Sequence, residues 1–302
     1  MNSSPETKKN HKSGFVNIVG NPNVGKSTLM NALVGERLSI VTAKAQTTRH
    51  RIMGIVNGED YQIVYSDTPG ILRPNYKLQE SMMSFVRSAF SDADVILYVT
   101  DVVEKSKKNL DFINRLKDIS TPVLLVINKI DLSNQAELEE IYNAWREILP
   151  NAEIFPISAQ EKFNLDAIFN RILELIPENE AWYDKNQFTD RNLRFFASEI
   201  IREKILLHYS KEVPYCTEVV IEAFKESEDI YHVEAIIYVT RDSQKGIIIG
   251  KGGEALKRIG TLARKDMETF FEKRVFLQIF VKVNPDWRED DRKLRQFGYI
   301  QD

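Results

Sequence analysis

Six short apolar runs, at 15–19, 52–56, 61–65, 95–100, 123–127 and 154–157, divide the first half of the chain, and stretches of helical spacing follow five of them, at 29–34, 75–90, 107–117, 137–149 and 165–176. Strands alternating with helices at this interval predict βαβ units and a mostly parallel, doubly wound α/β sheet. The runs at 52–56 and 61–65 flank Asn57-Gly58-Glu59-Asp60, and Asn-Gly between two strands predicts a hairpin, so one antiparallel pair is expected in that sheet. Residues 36–50 lose the apolar period and end on Arg49 and His50, with Arg51 next, which reads as a mobile loop.

The second half has a different rhythm. Phe195, Ile200, Ile201, Ile205 and Leu206 recur at helical spacing, 217–224 and 230–240 alternate as strands, 255–271 is helical, and 275–283 is a last strand. That order, α, β, β, α, β, predicts a three-stranded sheet packed on helices in a separate α+β domain. The boundaries expected are a disordered tail at 1–14, a first domain at 15–176, a polar linker at 177–190 and a second domain at 191–302.

Composition changes this picture in three places. At 302 residues the chain suits two domains. Its formal net charge of −3 announces no nucleic-acid binder, so any such surface must be a local patch. A single cysteine, Cys216, rules out an internal disulfide, and the four histidines are too scattered for a metal site. No apolar stretch reaches the ~18 residues that span a bilayer, so a cytoplasmic protein is expected, with peripheral contact at the inner face of the cell membrane left open.

The chemistry concentrates at strand ends. Gly20-Asn21-Pro22-Asn23-Val24-Gly25-Lys26-Ser27, then Thr28, lies between the first strand and the first helix, which is the context of a phosphate-binding P-loop. Glycine-bounded backbone turns its N–H groups inward toward the helix N-terminus, Lys26 reaches the β- and γ-phosphates, and the Ser27 hydroxyl suits Mg²⁺. Asp67-Thr68-Pro69-Gly70 closes the 61–65 strand, placing Asp67 to hold Mg²⁺ and the Gly70 amide to meet a γ-phosphate. Asn128-Lys129-Ile130-Asp131 follows the 123–127 strand. Asp131 would accept from the N1–H and 2-amino groups that guanine has and adenine lacks, a contrast worth ~10⁴ to 10⁵ in selectivity. Ser158-Ala159 follows the next strand, and the Ala159 amide is expected on guanine O6. Ile71 stands where a catalytic glutamine would orient water, which predicts slow hydrolysis or another means of placing the water.

In the second half, Gln244 to Gly253 ends in Gly250-Lys251-Gly252-Gly253, a G-x-x-G loop of the kind that clamps about four nucleotides of a single strand in KH domains. The helix after it carries Lys257, Arg258, Arg264 and Lys265, and Arg241, Lys245 and Lys251 lie nearby. The RNA-binding residues expected are Lys245, Gly250, Lys251, Gly252, Gly253, Lys257 and Arg258. The competing reading, a solvated helix face, draws on the interleaved Glu254, Asp266, Glu268 and Glu272.

These motifs in this order resemble the translation-factor-type P-loop GTPases. Gln46-Thr47-Thr48-Arg49, Asp67-Thr68-Pro69-Gly70 and the terminal Trp287-Arg288 and Gly298-Tyr299 resemble in particular the bacterial Era-like family, over nearly the whole chain. The resemblance implies a GTPase domain followed by a type II KH domain, with GTP bound at 20–28, 67–71, 128–131, Ser158 and Ala159. It implies that Thr48 closes over Mg²⁺ in the triphosphate state, that Lys26, Thr48 and Asn23 serve catalysis, and that Asn23 helps hold a potassium ion. It further implies binding at the 3′ end of small-subunit (16S) ribosomal RNA during subunit assembly; a monomer is expected. A rival of another class is a GTP-switched adaptor for a protein or membrane partner with incidental hydrolysis; the Gly250–Gly253 loop favours RNA.

Overall fold

The computed structural model describes residues 11–104 and 109–300. Contacts divide them into two units, one made of residues up to Ser39 with Arg51–Leu72 and Phe85–Asp190, the other of Ile40–His50, Arg73–Ser84 and the residues from Arg191 on.

In the first unit six strands form one sheet: β1 (Lys12–Gly20), β2 (Ile52–Asn57), β3 (Tyr61–Asp67), β4 (Val95–Asp101), β5 (Val123–Asn128) and β6 (Glu153–Pro156), in the order β2-β3-β1-β4-β5-β6. Only β2 and β3 pair antiparallel; β1-β3, β1-β4, β4-β5 and β5-β6 are parallel. All seven residues of β4 are buried, as a strand covered on both faces must be, which is why its sequence reads as a continuous apolar run. The helices of this half are α1 (Lys26–Val34), α2 (Lys77–Ser91), α3 (Leu110–Asp118), α4 (Gln135–Ile148) and α5 (Leu165–Leu175). Residues 77–84 of α2 group with the second unit.

Two boundaries differ from the sequence reading. Residues 1–10 of the expected disordered tail lie outside the described residues, but β1 begins at Lys12, and the Ser13 N–H donates to Pro177 O at 3.0 Å. The expected linker at 177–190 groups with the first unit: Lys12 bridges Glu178, Gly54 bridges Thr189, and the Ile55 N–H donates to Phe188 O at 2.9 Å. Polar composition hid this, because the segment is fixed by backbone pairing and by polar side chains such as Gln62 with Tyr183 and Thr189 with Met53, which an apolar pattern does not encode.

The second unit holds α6 (Leu193–His208), β7 (Glu218–Glu226), β8 (Ile230–Val239), α7 (Asp242–Ile249), α8 (Glu254–Phe271), β9 (Arg274–Val283) and α9 (Asp291–Gln296). Its sheet runs β7-β8-β9, with β7-β8 antiparallel and β8-β9 parallel. Ile259, Ala263 and Met267 repeat every fourth residue along α8 and pack into one core with Ile201 and Ile205 of α6 and Val233, Ala235 and Ile237 of β8. α7 and the short α9 are two helices more than the sequence order predicts, and α7 has a local cause. Gly246 and the β-branched Ile247, Ile248 and Ile249 lower its helical propensity, so it reads as an apolar turn.

The loop at 40–50 is part of this unit, and its basic end is no solvent feature. Arg49 is wholly buried and donates to Thr217 O at 2.7 Å, Pro214 O at 3.2 Å and Glu218 Oε2 at 3.2 Å. The Tyr299 hydroxyl donates to the same carboxylate at 2.7 Å, and His50 stacks on Tyr299 with ring centroids 4.3 Å apart. Arg202 of α6 donates to Gln46 O at 3.2 Å and to Thr47 O. α6 is consequently buried almost all round, Glu199, Arg202, Glu203 and Lys204 included, where the sequence predicts one apolar stripe.

Candidate nucleotide and RNA sites

The P-loop links β1 to α1, and α1 starts from Gly25, whose φ of +95° favours glycine; a Cβ there would also overlap Asn128 Nδ2. Asn128 explains that close approach. Its amide donates to Val24 O at 2.9 Å and its carbonyl oxygen accepts the Ala159 N–H at 3.0 Å, so one side chain ties the ends of β1, β5 and β6 together. The Ala159 amide, expected on guanine O6, is thus bound to Asn128. Asp131 stands exposed on the one-turn 3₁₀ helix at Ile130–Leu132 and remains available for the base.

Lys26 is buried, with Nζ donating to Asn21 O at 2.8 Å, and burial pushes its ammonium down to about 8 despite the opposing pull of Asp67 and Glu104. A desolvated cation held beside a backbone curl favours an anionic ligand that restores its lost stabilisation. The Ser27 hydroxyl donates to Asp67 Oδ2 at 2.7 Å, so a hydroxyl and a carboxylate oxygen stand together as hard donors that fit Mg²⁺. The Thr68 hydroxyl donates to Ile18 O at 2.8 Å and the Ile71 N–H to Gly20 O at 3.1 Å, fixing the 67–71 segment against β1. Gly70 lies so close to Pro22 that a Cβ would come within 2.8 Å of its Cα. Asn23, at a φ of +67°, has its carbonyl bound by Lys129 Nζ at 2.6 Å. Thr48 groups with the second unit, whereas Ser27 and Asp67 belong to the first.

Two carboxylates escaped the sequence reading. Asp101, at the end of β4, pairs with Lys129 at 2.6 Å and accepts the Glu104 N–H at 2.8 Å. Glu104 in turn accepts from the Asn21 amide of the P-loop and from the Thr100 hydroxyl. Both follow the carboxyl end of a sheet strand, the usual place for ligand residues, and that position was the available signal.

In the second unit Gly250 ends α7, Lys251–Gly253 forms a single 3₁₀ turn, and α8 starts at Glu254. Gly252 has a φ of +60° with nothing near its Cβ position, so the loop presents bare backbone to solvent. Between α8 and β9 runs a groove of about 370 Å³ whose lining includes Gly253, Lys257, Thr261, Arg264, Leu277 and Ile279. Among the described residues no ion pair holds Lys245, Lys251, Lys257 or Arg258, whereas Arg264 pairs with Glu268 at 2.6 Å. Arg264 therefore has an acidic partner, whereas Lys251, Lys257 and Arg258 around the glycine loop are exposed without one among the described residues. Lys257 lines the groove; Arg258 lies on the other flank of α8.

A phosphate cradle with an exposed aspartate just beyond β5, in a chain that also carries a three-stranded sheet bearing a G-x-x-G loop, defines a P-loop GTPase with a KH domain. A family model described as "50S ribosome-binding GTPase" matches residues 15–129 and one described as "KH domain" matches 212–288. Era, solved with MgGDPNP and nucleotides 1506–1542 of 16S ribosomal RNA, is 38% identical over 96% of this chain and 100% of that one, with a TM-score of 0.92. An alanine variant of Era from Aquifex aeolicus bound to GDP·AlF4⁻ is 39% identical over the same shares, also at 0.92. The chain belongs to the Era family of GTPases.

Proposed function

We propose that the chain hydrolyses GTP to GDP and phosphate, that its nucleotide state gates the binding of single-stranded RNA, and that this RNA is the 3′ end of small-subunit ribosomal RNA during subunit assembly. The observation that carries the reading is one chain holding both a P-loop site and a glycine-loop groove lined by Lys257, aligned over 96% of its length with Era bound to MgGDPNP and a 16S segment.

In this reading Lys26 neutralises the β- and γ-phosphates, Ser27 and Asp67 hold Mg²⁺, and Thr48 closes over the ion in the triphosphate state. Mg²⁺ supplies charge neutralisation on the phosphate oxygens as water attacks the γ-phosphorus in line. Ile71 offers no polar atom to orient that water, so turnover by the free protein is slow, on the order of 10⁻³ s⁻¹. Asn23 helps hold a potassium ion. Potassium should then speed hydrolysis more than sodium does, and Asn23→Ala should remove the difference; equal rates in both salts for the wild type would discard the ion.

Gating draws support from the segment that carries Thr48. Its neighbours Gln46, Thr47 and Arg49 are bound by Arg202, Thr217 and Glu218, residues of the KH unit, so a nucleotide that recruits Thr48 must act on a segment this unit holds. The adaptor alternative is not favoured, because it gives the glycine loop and its free cations no task. The protein acts as a monomer in the cytoplasm, where ribosomal subunits are built; among the described residues no helix is long and apolar enough to cross a membrane.

Filter binding of a single-stranded 16S 3′-end RNA to protein loaded with GDPNP or GDP tests the reading. The affinities should differ about tenfold, within the usual range of coupling between two sites. Equal affinities would remove the gating, and no binding in either state would remove the RNA.

A further inference from the structure

The other flank of α8 also opens on a cavity, of about 600 Å³, walled by Lys257, Arg258 and Leu262 of α8 and by Lys204, Leu207 and His208 of the last turns of α6. Lys257 and Thr261 line both this cleft and the groove beside β9, so the two share one wall. The charges are uneven. Lys204 is already held by Glu203 and Asp266, Glu254 is the one carboxylate of the lining, and no ion pair among the described residues holds Lys257 or Arg258. Burial first, then the nearby Arg258, Lys204 and Lys44, push the His208 imidazolium down. Leu207 is 53% exposed at the end of α6, and Leu262 faces the same space, so apolar side chains lie among the cations.

We propose that this cleft is a second nucleotide subsite, which takes one or two unpaired nucleotides of the same RNA strand after it crosses the Lys257–Thr261 ridge from the glycine-loop groove. A base lies against Leu207 and Leu262 while its phosphate meets Arg258, Lys257 and His208. Cations interleaved with apolar side chains suit a nucleotide, whose parts are a flat apolar face and an anion, and the shared wall gives a strand leaving the groove a continuous path. The inference rests on the reading that the groove binds single-stranded RNA. It adds the length of strand recognised and the residues that recognise the added part.

The test measures affinity by fluorescence anisotropy for a four-nucleotide RNA, the length a KH groove clamps, and for one about three times longer. Wild type is compared with a double variant, Leu207→Ser with His208→Glu, whose sites are both exposed, and unchanged far-UV circular dichroism establishes its fold. The variant should bind the short RNA like wild type but the long one about tenfold more weakly, with a salt slope shallower by about 0.7 for each phosphate it no longer neutralises. Wild-type affinity and slope for the long RNA would overturn the subsite, and so would equal losses at both lengths, since the cleft would then be part of the groove. Failure of wild type to bind either RNA would overturn the underlying RNA reading, a result distinct from both.

Discussion

At the nucleotide site Lys26 is 6% exposed, Asn128 is bonded on both sides, and Lys129 is clamped between Asp101 and Asn23 O, whereas around the KH groove Lys251, Gly252 and Lys257 all stand in solvent. The first site is arranged before its ligand arrives, by bonds among strand ends far apart in sequence. The second offers bare backbone and solvated charge. Preorganised, desolvated groups discriminate between ligands, because a wrong ligand leaves them unpaired. Exposed cations supply affinity that depends on salt and little on sequence. The contrast predicts a choosy nucleotide site and a groove whose binding follows ionic strength.

The sharpest way to break it is Asp131→Asn. The amide would donate where the carboxylate accepted, so GTP binding should fall by up to about 10⁴ while xanthosine triphosphate, with a 2-oxo group, gains. Unchanged preference for GTP in nucleotide competition would refute the base-reading role of Asp131.

Next in size is Gly252→Asp, which adds a side chain at a φ of +60° and a negative charge where the phosphodiester should pass. RNA affinity should drop roughly 100-fold at low salt, with GTP affinity unchanged. Since nothing lies within 4 Å of the Cβ position, the variant should fold; wild-type RNA affinity would make the loop a structural turn.

A smaller effect is expected from Asn128→Ala, which removes the side chain between Val24 O and the Ala159 N–H. Leaving buried groups unpaired costs about 1–3 kcal/mol each, so thermal unfolding should come several degrees lower, with GTP affinity falling in step. A melting temperature within about one degree of wild type would show that the strand ends are held by other means.

How much of this the sequence reveals differs between the regions in the same way. The positions of the P-loop, Asp67 and Asp131 were legible because each is a short motif at the end of an apolar strand, and the mostly parallel sheet follows from alternation. Asp101 and Glu104 were not, because their partners Lys129 and Asn21 lie elsewhere in the chain and only the folded sheet brings them together. In the second half the glycine loop and the charge of α8 were legible, but Leu277 and Ile279 became groove lining only when β9 took its place beside α8. The 40–50 loop was the largest miss. Arg49 looks like surface charge, yet it is a buried ion pair whose loss would cost about 3–5 kcal/mol, and no local pattern announces a buried arginine.

If both sites act in one mechanism, RNA reaches the GTPase through the glycine loop, and GTP turnover measured with and without single-stranded RNA, for wild type and Gly252→Asp, shows whether it does. RNA should accelerate wild-type hydrolysis severalfold and leave the variant at the unstimulated wild-type rate. Stimulation of equal size in both proteins, or none in wild type at saturating RNA, would contradict the account.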